Sequence, residues 1–158
     1  MTPINLMDRM AEKLQALMDD YVTHQPSGTL PIKVYPGYFP RRTNATENNS
    51  GMYVLATQIV DENEKVKSYA IVEIGFSIYD DDPVDGWRSV YNALEHVRQY
   101  LLKNRIIDKK HWLQLPMETI VFDDQNQAWP QWRATMTAKY TISQPEEEGI
   151  LYGREQKT

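Results

Sequence analysis

Asp80, Asp81, Asp82 and Asp85 are the densest cluster of ionisable side chains in this sequence. Carboxylate oxygens at that density are the hard donors that Ca²⁺ or Mg²⁺ selects, but the spacing is not that of an EF-hand loop and lacks its glycine. Pro83 follows the aspartate run directly, and an amphipathic segment begins soon after it. Helix capping therefore accounts for the cluster more simply than metal binding. Asp82 before Pro83, with Asp85 in the first turn, would satisfy free amides and oppose the positive pole of a helix. A metal-dependent hydrolase using residues 80–85 stands as the enzymatic alternative.

The other ingredients of catalysis are sparse. His24, His96 and His111 are the three histidines; they read as a helix end, a helix face and a loop, with no HExxH pairing. No GxSxG, P-loop or GxGxxG motif occurs, and the seven glycines never gather into a phosphate-cradling loop. The absence of cysteine removes disulfides, thiolate zinc sites and a cysteine nucleophile. The expectation is a protein that is not an enzyme, with no cofactor and no metal.

Residues suited to binding are easier to find. Trp129, Pro130 and Trp132 stand with Gln125 and Gln127 ahead of a long strand-like segment. Such aromatic density marks a partner surface or a core corner, and one Trp can serve each purpose. Arg41 and Arg42, with Lys33 nearby, are the one candidate basic patch. They open a polar, Asn-rich stretch, 41–50, that includes Asn44 and Asn48 and reads as an exposed loop. A net charge of −5 with dispersed Lys and Arg argues against a dedicated nucleic-acid binder, leaving only weak, salt-sensitive DNA contacts as a possibility.

These groups must be positioned by one domain, since 158 residues suffice to bury a core. A composition of 41% hydrophobic and 25% charged residues is that of a globular chain. The first ten residues lack a basic stretch followed by an apolar one, so no secretory signal is read there. No apolar run approaches the roughly 18 residues of a membrane helix. A soluble, intracellular protein is expected.

Along the chain, Ile4, Met7, Met10, Leu14, Leu17, Met18 and Tyr21 recur at helical spacing, so 4–22 is predicted to be an amphipathic helix entered through Pro3. A short strand at 30–35 is bracketed by Pro31 and Pro36, which suit an edge. Segments 53–60 and 66–79 are rich in β-branched and aromatic residues and flank the polar turn 61–65, predicting an antiparallel hairpin. In its second strand Ala70, Val72, Ile74, Phe76 and Ile78 share one apolar face and belong to the core. A second helix follows Pro83, with Trp87, Val90, Tyr91, Leu94, Val97, Leu101 and Leu102 on its apolar stripe and Lys103 and Arg105 at its negative pole. Three strands, 112–115, 119–122 and 132–142, complete the order, with Pro116 and 123–130 between them. The expected fold class is α+β: a mostly antiparallel, possibly mixed, sheet with two amphipathic helices packed on it, occupying 1–145. Residues 146–158 read as a flexible C-terminal tail.

An ordered series of short motifs resembles one protein family. Ile78-Tyr79-Asp80-Asp81-Asp82 is followed by Gly86-Trp87-Arg88-Ser89-Val90-Tyr91-Asn92, then Glu95, Val97-Arg98, Leu101-Leu102 and Arg105. Leu115-Pro116, Ile120-Val121-Phe122, Pro130-Gln131-Trp132, Met136-Thr137 and Tyr140-Thr141-Ile142 continue the series. Over residues 52–145 this resembles the tail terminator, or tail completion, proteins of long-tailed bacteriophages. The chain departs from the pattern at Ala128, where the family carries a second Pro, and its two ends have no counterpart in it. The resemblance implies a virion structural protein of the tail or neck, assembled in the host cytoplasm. Copies would form a ring, usually a hexamer, that caps the head-proximal end of the tail tube, stops its polymerisation and mediates head-tail joining. Its partners would be the tail tube protein and the head-tail connector, with no membrane and no sequence-specific nucleic acid. A neck or connector component is the alternative within virion assembly. In such a role loops and termini would carry the contacts, so the 41–50 loop, the tryptophan pair and the C-terminal tail supply the candidate contact residues: Arg41, Arg42, Asn44, Asn48, Trp129, Trp132, Glu146, Glu147, Glu148 and Tyr152.

Overall fold

The computed structural model describes residues 2–40, 49–122 and 129–146. It is an α+β fold in which two helices cover one face of a six-stranded mixed sheet, curled as a half-barrel. Helix α1 spans Pro3–Thr23, β1 Ile32–Pro36, β2 Ser50–Val60 and β3 Ser68–Tyr79. Helix α2 spans Trp87–Lys103, β4 Ile106–Ile107, β5 His111–Val121 and β6 Gln131–Ile142. The strand order is β1-β2-β3-β6-β5-β4; β1 runs parallel to β2 and every other pairing is antiparallel.

Helix α1 starts where the sequence places it. Pro3 occupies the first turn, where its missing N–H costs nothing, and the Thr2 hydroxyl accepts from the Asn5 amide. The buried stripe is Leu6, Met10, Ala11, Leu14 and Met18. Ile4, expected on that stripe, is exposed, because the spacing of four from Leu6 to Met18 selects the adjacent face.

The hairpin β2-β3 and its pairing with β6 form the centre of the sheet. Ala70, Val72, Ile74, Phe76 and Ile78 are buried beneath the helices, as are Trp132, Ala134, Met136, Ala138, Tyr140 and Ile142 of β6. Register makes this one surface: Ile74 faces Met136, Val72 faces Ala138 and Ala70 faces Tyr140. Helix α1 packs on β1 and β2, and α2 on β3 and β6. Met52 and Val54 join that core from β2, as do Val90, Ala93, Leu94, Val97 and Leu101 from α2.

Four expectations need correction. Helix α2 begins at Trp87 with Gly86 as its cap residue, so Asp82 caps a separate turn ahead of the helix. Trp87 and Tyr91 are exposed and Ala93 takes a buried position. The segments on either side of Pro116 are one strand, β5. Pairing with β6 skips from Gln114↔Lys139 to Glu118↔Thr137, since Pro has no amide to give the ladder and its neighbourhood bulges away. Finally, His111 is not in a loop. It opens β5 beside the two-residue β4, which periodicity could not reveal.

Candidate interaction surfaces

The aspartate cluster and the tryptophan pair, 50 residues apart in sequence, meet at one corner of the sheet. The strands β3 and β6 end and begin there, with Tyr79 opposite Gln131. The Asp80 amide donates to the Pro130 carbonyl at 2.9 Å. The Trp132 Nε1–H donates to the Asp80 carbonyl at 2.9 Å, and the Trp129 Nε1–H donates to the Asp81 carbonyl at 3.2 Å. Two indoles thus hold consecutive carbonyls of the aspartate run. The Ser89 hydroxyl of α2 donates to the Asp80 carboxylate, tying the helix to the same point. Gly86 lies against the Trp132 indole so closely that a Cβ there would sit 2.5 Å from Nε1.

Each of three carboxylates in the cluster has an internal task. Asp82 Oδ1 accepts from the amides of Val84 and Asp85 at 2.9 and 3.0 Å. Donation by the Asp85 amide, and then by that of Val84, holds the Asp82 carboxyl below the usual carboxylate range. Asp80 also accepts from the Asp82 amide, and Asp85 pairs with Arg88 on the exposed first turn of α2. Among the described residues no three His, Asp or Glu side chains converge as metal ligands would. The Asp82 bonds close the turn at residues 82–85 and do not cap α2, whose cap residue is Gly86.

The two indoles differ in the way the sequence suggested. Trp132 is 8% exposed and closes the core; Trp129 is 56% exposed. Beside this corner α2 presents Trp87 and Tyr91, stacked edge to face at 5.7 Å, with the Arg88 guanidinium 4.7 Å from the Trp87 ring centre. Exposed Trp, Tyr and Arg side chains of this kind carry much of the energy in protein interfaces. Sequence reasoning had placed Trp87 and Tyr91 in the core; their departure from the stripe Val90, Leu94, Val97, Leu101 was the available signal.

The face of the sheet opposite the helices carries a cluster of aromatic rings. Tyr53 lies across Gly75, its cross-strand partner, filling the space of the missing side chain. Its hydroxyl donates to Glu73 at 2.5 Å, and burial, then this bond, pushes the phenol upward from its ordinary value. Phe39 packs edge-on against both Tyr53 and Tyr35, and Lys33 stands over the Tyr35 ring. These rings wall a groove continued by Ser77, Gln131 and Thr135.

The sheet's two edges are finished differently. At β1 the Gln15 side chain of α1 takes two of the backbone groups that face away from β2. Its Nε2 donates to the Ile32 carbonyl at 3.0 Å and its Oε1 accepts from the Val34 amide at 2.8 Å. At β5, β4 covers only His111 and Trp112, and the Leu113 amide donates to the Arg105 carbonyl. Phe122 donates to the Arg133 carbonyl on the β6 side. By antiparallel alternation, Thr119 and Val121 then point their amides and carbonyls away from β6. Among the described residues no strand pairs with that side.

Arg41, Arg42, Asn44 and Asn48 lie outside the described residues, as do Glu147, Glu148 and Tyr152; Glu146 is exposed at the last described position. Ser50, expected at the end of the exposed loop, instead opens β2, buried, with its Oγ accepting from the Tyr79 amide. No helix among the described residues is long and apolar enough to cross a membrane. No family model matches the chain, and no curated protein is significantly similar to it.

Proposed function

We propose that this chain is a structural subunit of a bacteriophage tail, a terminator that caps the head-proximal end of the tail tube as a ring of copies and mediates head-tail joining. The observation that carries this reading is the corner just described. The motifs of the resemblance, 78–92 and 130–132, are far apart in sequence. Asp80, Ser89, Pro130 and Trp132 nevertheless lock into one hydrogen-bonded unit, with Gly86 packed against the Trp132 indole. Residues shared with a family for architectural reasons are expected to behave this way. The exposed aromatic group beside the corner and the stretch of β5 that no strand among the described residues pairs offer two unlike surfaces. Unlike surfaces are what a head-to-tail ring joins, because each subunit meets its two neighbours through different faces.

Such a role requires no reaction centre. The test has two parts. Light scattering of the purified chain across concentration and salt should show a closed oligomer near six copies, and the ring should sediment with purified tail tubes and stop their elongation. An oligomer that ignores tubes but binds the connector would move the assignment to the neck. A chain that stays monomeric with tubes present would overturn the proposal.

A further inference from the structure

We infer that the acidic, aromatic corner of one copy docks against the basic turn between β4 and β5 of the next; this names the joint of the ring proposed above and rests on that reading. The two surfaces lie at opposite ends of the molecule. Helix α2 and strand β6 both start at the corner, where Gly86 lies against Trp132. Both end beside the basic turn, where Asn104 closes α2 and the Trp112 amide donates to the Thr141 hydroxyl at 3.0 Å. From Trp132 to Thr141 is roughly 30 Å at about 3.3 Å per residue, so the two surfaces of one copy cannot meet each other.

Each surface carries the charge that the other lacks. At the corner Val84, Trp87, Tyr91 and Trp129 are exposed, together with Asp81 and Asp85. Asp80 and Asp82 commit their carboxylates to Ser89 and to the amides of Val84 and Asp85, whereas the Asp81 carboxylate has no partner among the described residues. At the far end Lys103, Arg105, Lys109 and Lys110 are exposed, and none of them pairs with a carboxylate among the described residues. Asp108, on the same turn, is taken by Asn5 and Arg9 of α1. Glu64 of the neighbouring β2-β3 turn borders Lys110, but Lys65 and Lys67 share that rim, so the surface stays basic. Its apolar centre is set by register: Ile106 lies opposite Trp112, both exposed, while Ile107 and His111 turn into the core. An apolar centre rimmed by one charge, facing another rimmed by the opposite charge, is what fixes register and rejects wrong partners. Two corners, or two basic turns, brought together would oppose like charges. A second copy placed head to tail is therefore favoured over a two-fold dimer.

The test follows assembly of the full chain by light scattering and changes only exposed side chains. Asp81→Lys and Lys110→Glu should each raise the concentration for half-assembly roughly tenfold or more. The chain carrying both should assemble close to the parent, since the reversed charges face each other again. Trp87→Ala combined with Tyr91→Ala should reduce the mass to that of a single copy and leave Tm unchanged. The native absence of cysteine adds a second measurement. Copies carrying Asp81→Cys, mixed with copies carrying Lys110→Cys, should be joined by a short bis-maleimide, and neither kind alone should be. A ring that survives both reversals and the aromatic pair, or that yields no such cross-link, overturns this inference while the ring stands. So does an aromatic pair variant that keeps its ring but no longer binds tail tubes, which assigns the corner to the tube. Single reversals that weaken the ring without recovery in the combined chain show that the two surfaces do not face each other. A parent chain that forms no ring under any condition, tail tubes included, removes the ring reading and this inference with it.

Discussion

Gly86→Ala sets two known effects against each other at the corner that unites the aspartate run, α2 and Trp132. Gly86 has φ −60° and ψ −26°, a conformation that alanine adopts freely. At an open site the substitution would stabilise the fold by about 0.4–1 kcal/mol through the unfolded chain. Here the added Cβ would lie 2.4 Å from the Asp82 carbonyl oxygen, 2.5 Å from Trp132 Nε1 and 2.8 Å from Trp132 Cε2. None of these atoms moves freely. The carbonyl accepts from the Gly86 amide itself, and the indole is held by the Asp80 carbonyl. Overpacking of this kind costs about 1–3 kcal/mol, so a net loss of about 1–2 kcal/mol is expected. For a domain of this size that lowers Tm by roughly 2–8 °C. Thermal unfolding followed in the far ultraviolet and by tryptophan fluorescence measures it. A double-mutant cycle with Trp132→Phe should show coupling of at least about 0.5 kcal/mol, because the smaller ring relieves part of the clash. An unchanged or raised Tm for Gly86→Ala would refute the packing described at this corner.

Among the described residues the buried Tyr140 hydroxyl has no partner, so Tyr140→Phe should leave stability within about 0.5 kcal/mol or raise it; a loss above about 1 kcal/mol in urea unfolding would show that the hydroxyl is bonded. Gln15→Ala removes two hydrogen bonds to β1 and should cost about 1–2 kcal/mol, with concentration-dependent light scattering as the edge opens; a variant as stable and as monodisperse as the parent would sink the plug. The Asp82 carboxyl is lowered from 3.8 in the folded chain, chiefly by the Asp85 amide. A lowered folded value means stability that is present above pH 3.8 and fades as pH falls below it towards the folded value. Asp82→Asn should flatten that stretch of the pH–stability curve, and a curve of unchanged shape would assign the acid response to other groups.

How much of this was legible in the sequence depended on whether the signal was periodic. The faces of β3 and β6 were readable because the alternation is long and uninterrupted: Ala70 to Ile78 and Trp132 to Ile142 each place one apolar side chain at every second position. The start of α1 was readable from Pro3. The β4-β5 turn was not, because Asp108 and Lys109 adopt φ of 53° and 59° without a glycine to announce them. The parallel pairing of β1 was also hidden, since its partner β2 follows at once in the chain and nothing in a five-residue strand states direction. At the corner, the sequence offered the aspartates and tryptophans as separate clusters with separate explanations. Only register could show that Tyr79 opposite Gln131 brings them together.

The unequal edges constrain how copies of this chain can meet. The simplest ring of sheets would join β1 of one subunit to β5 of the next. That requires Gln15 to release both the Ile32 carbonyl and the Val34 amide, exchanging two satisfied hydrogen bonds for two new ones with little net gain. Pro31 and Pro36 would flank the seam, and neither can donate to it. Opening the β1 edge should therefore create misassembly without improving the ring. Gln15→Ala ought to scatter more light while binding tail tubes no better, and a gain in correctly closed rings would show that the sheets themselves are the joint.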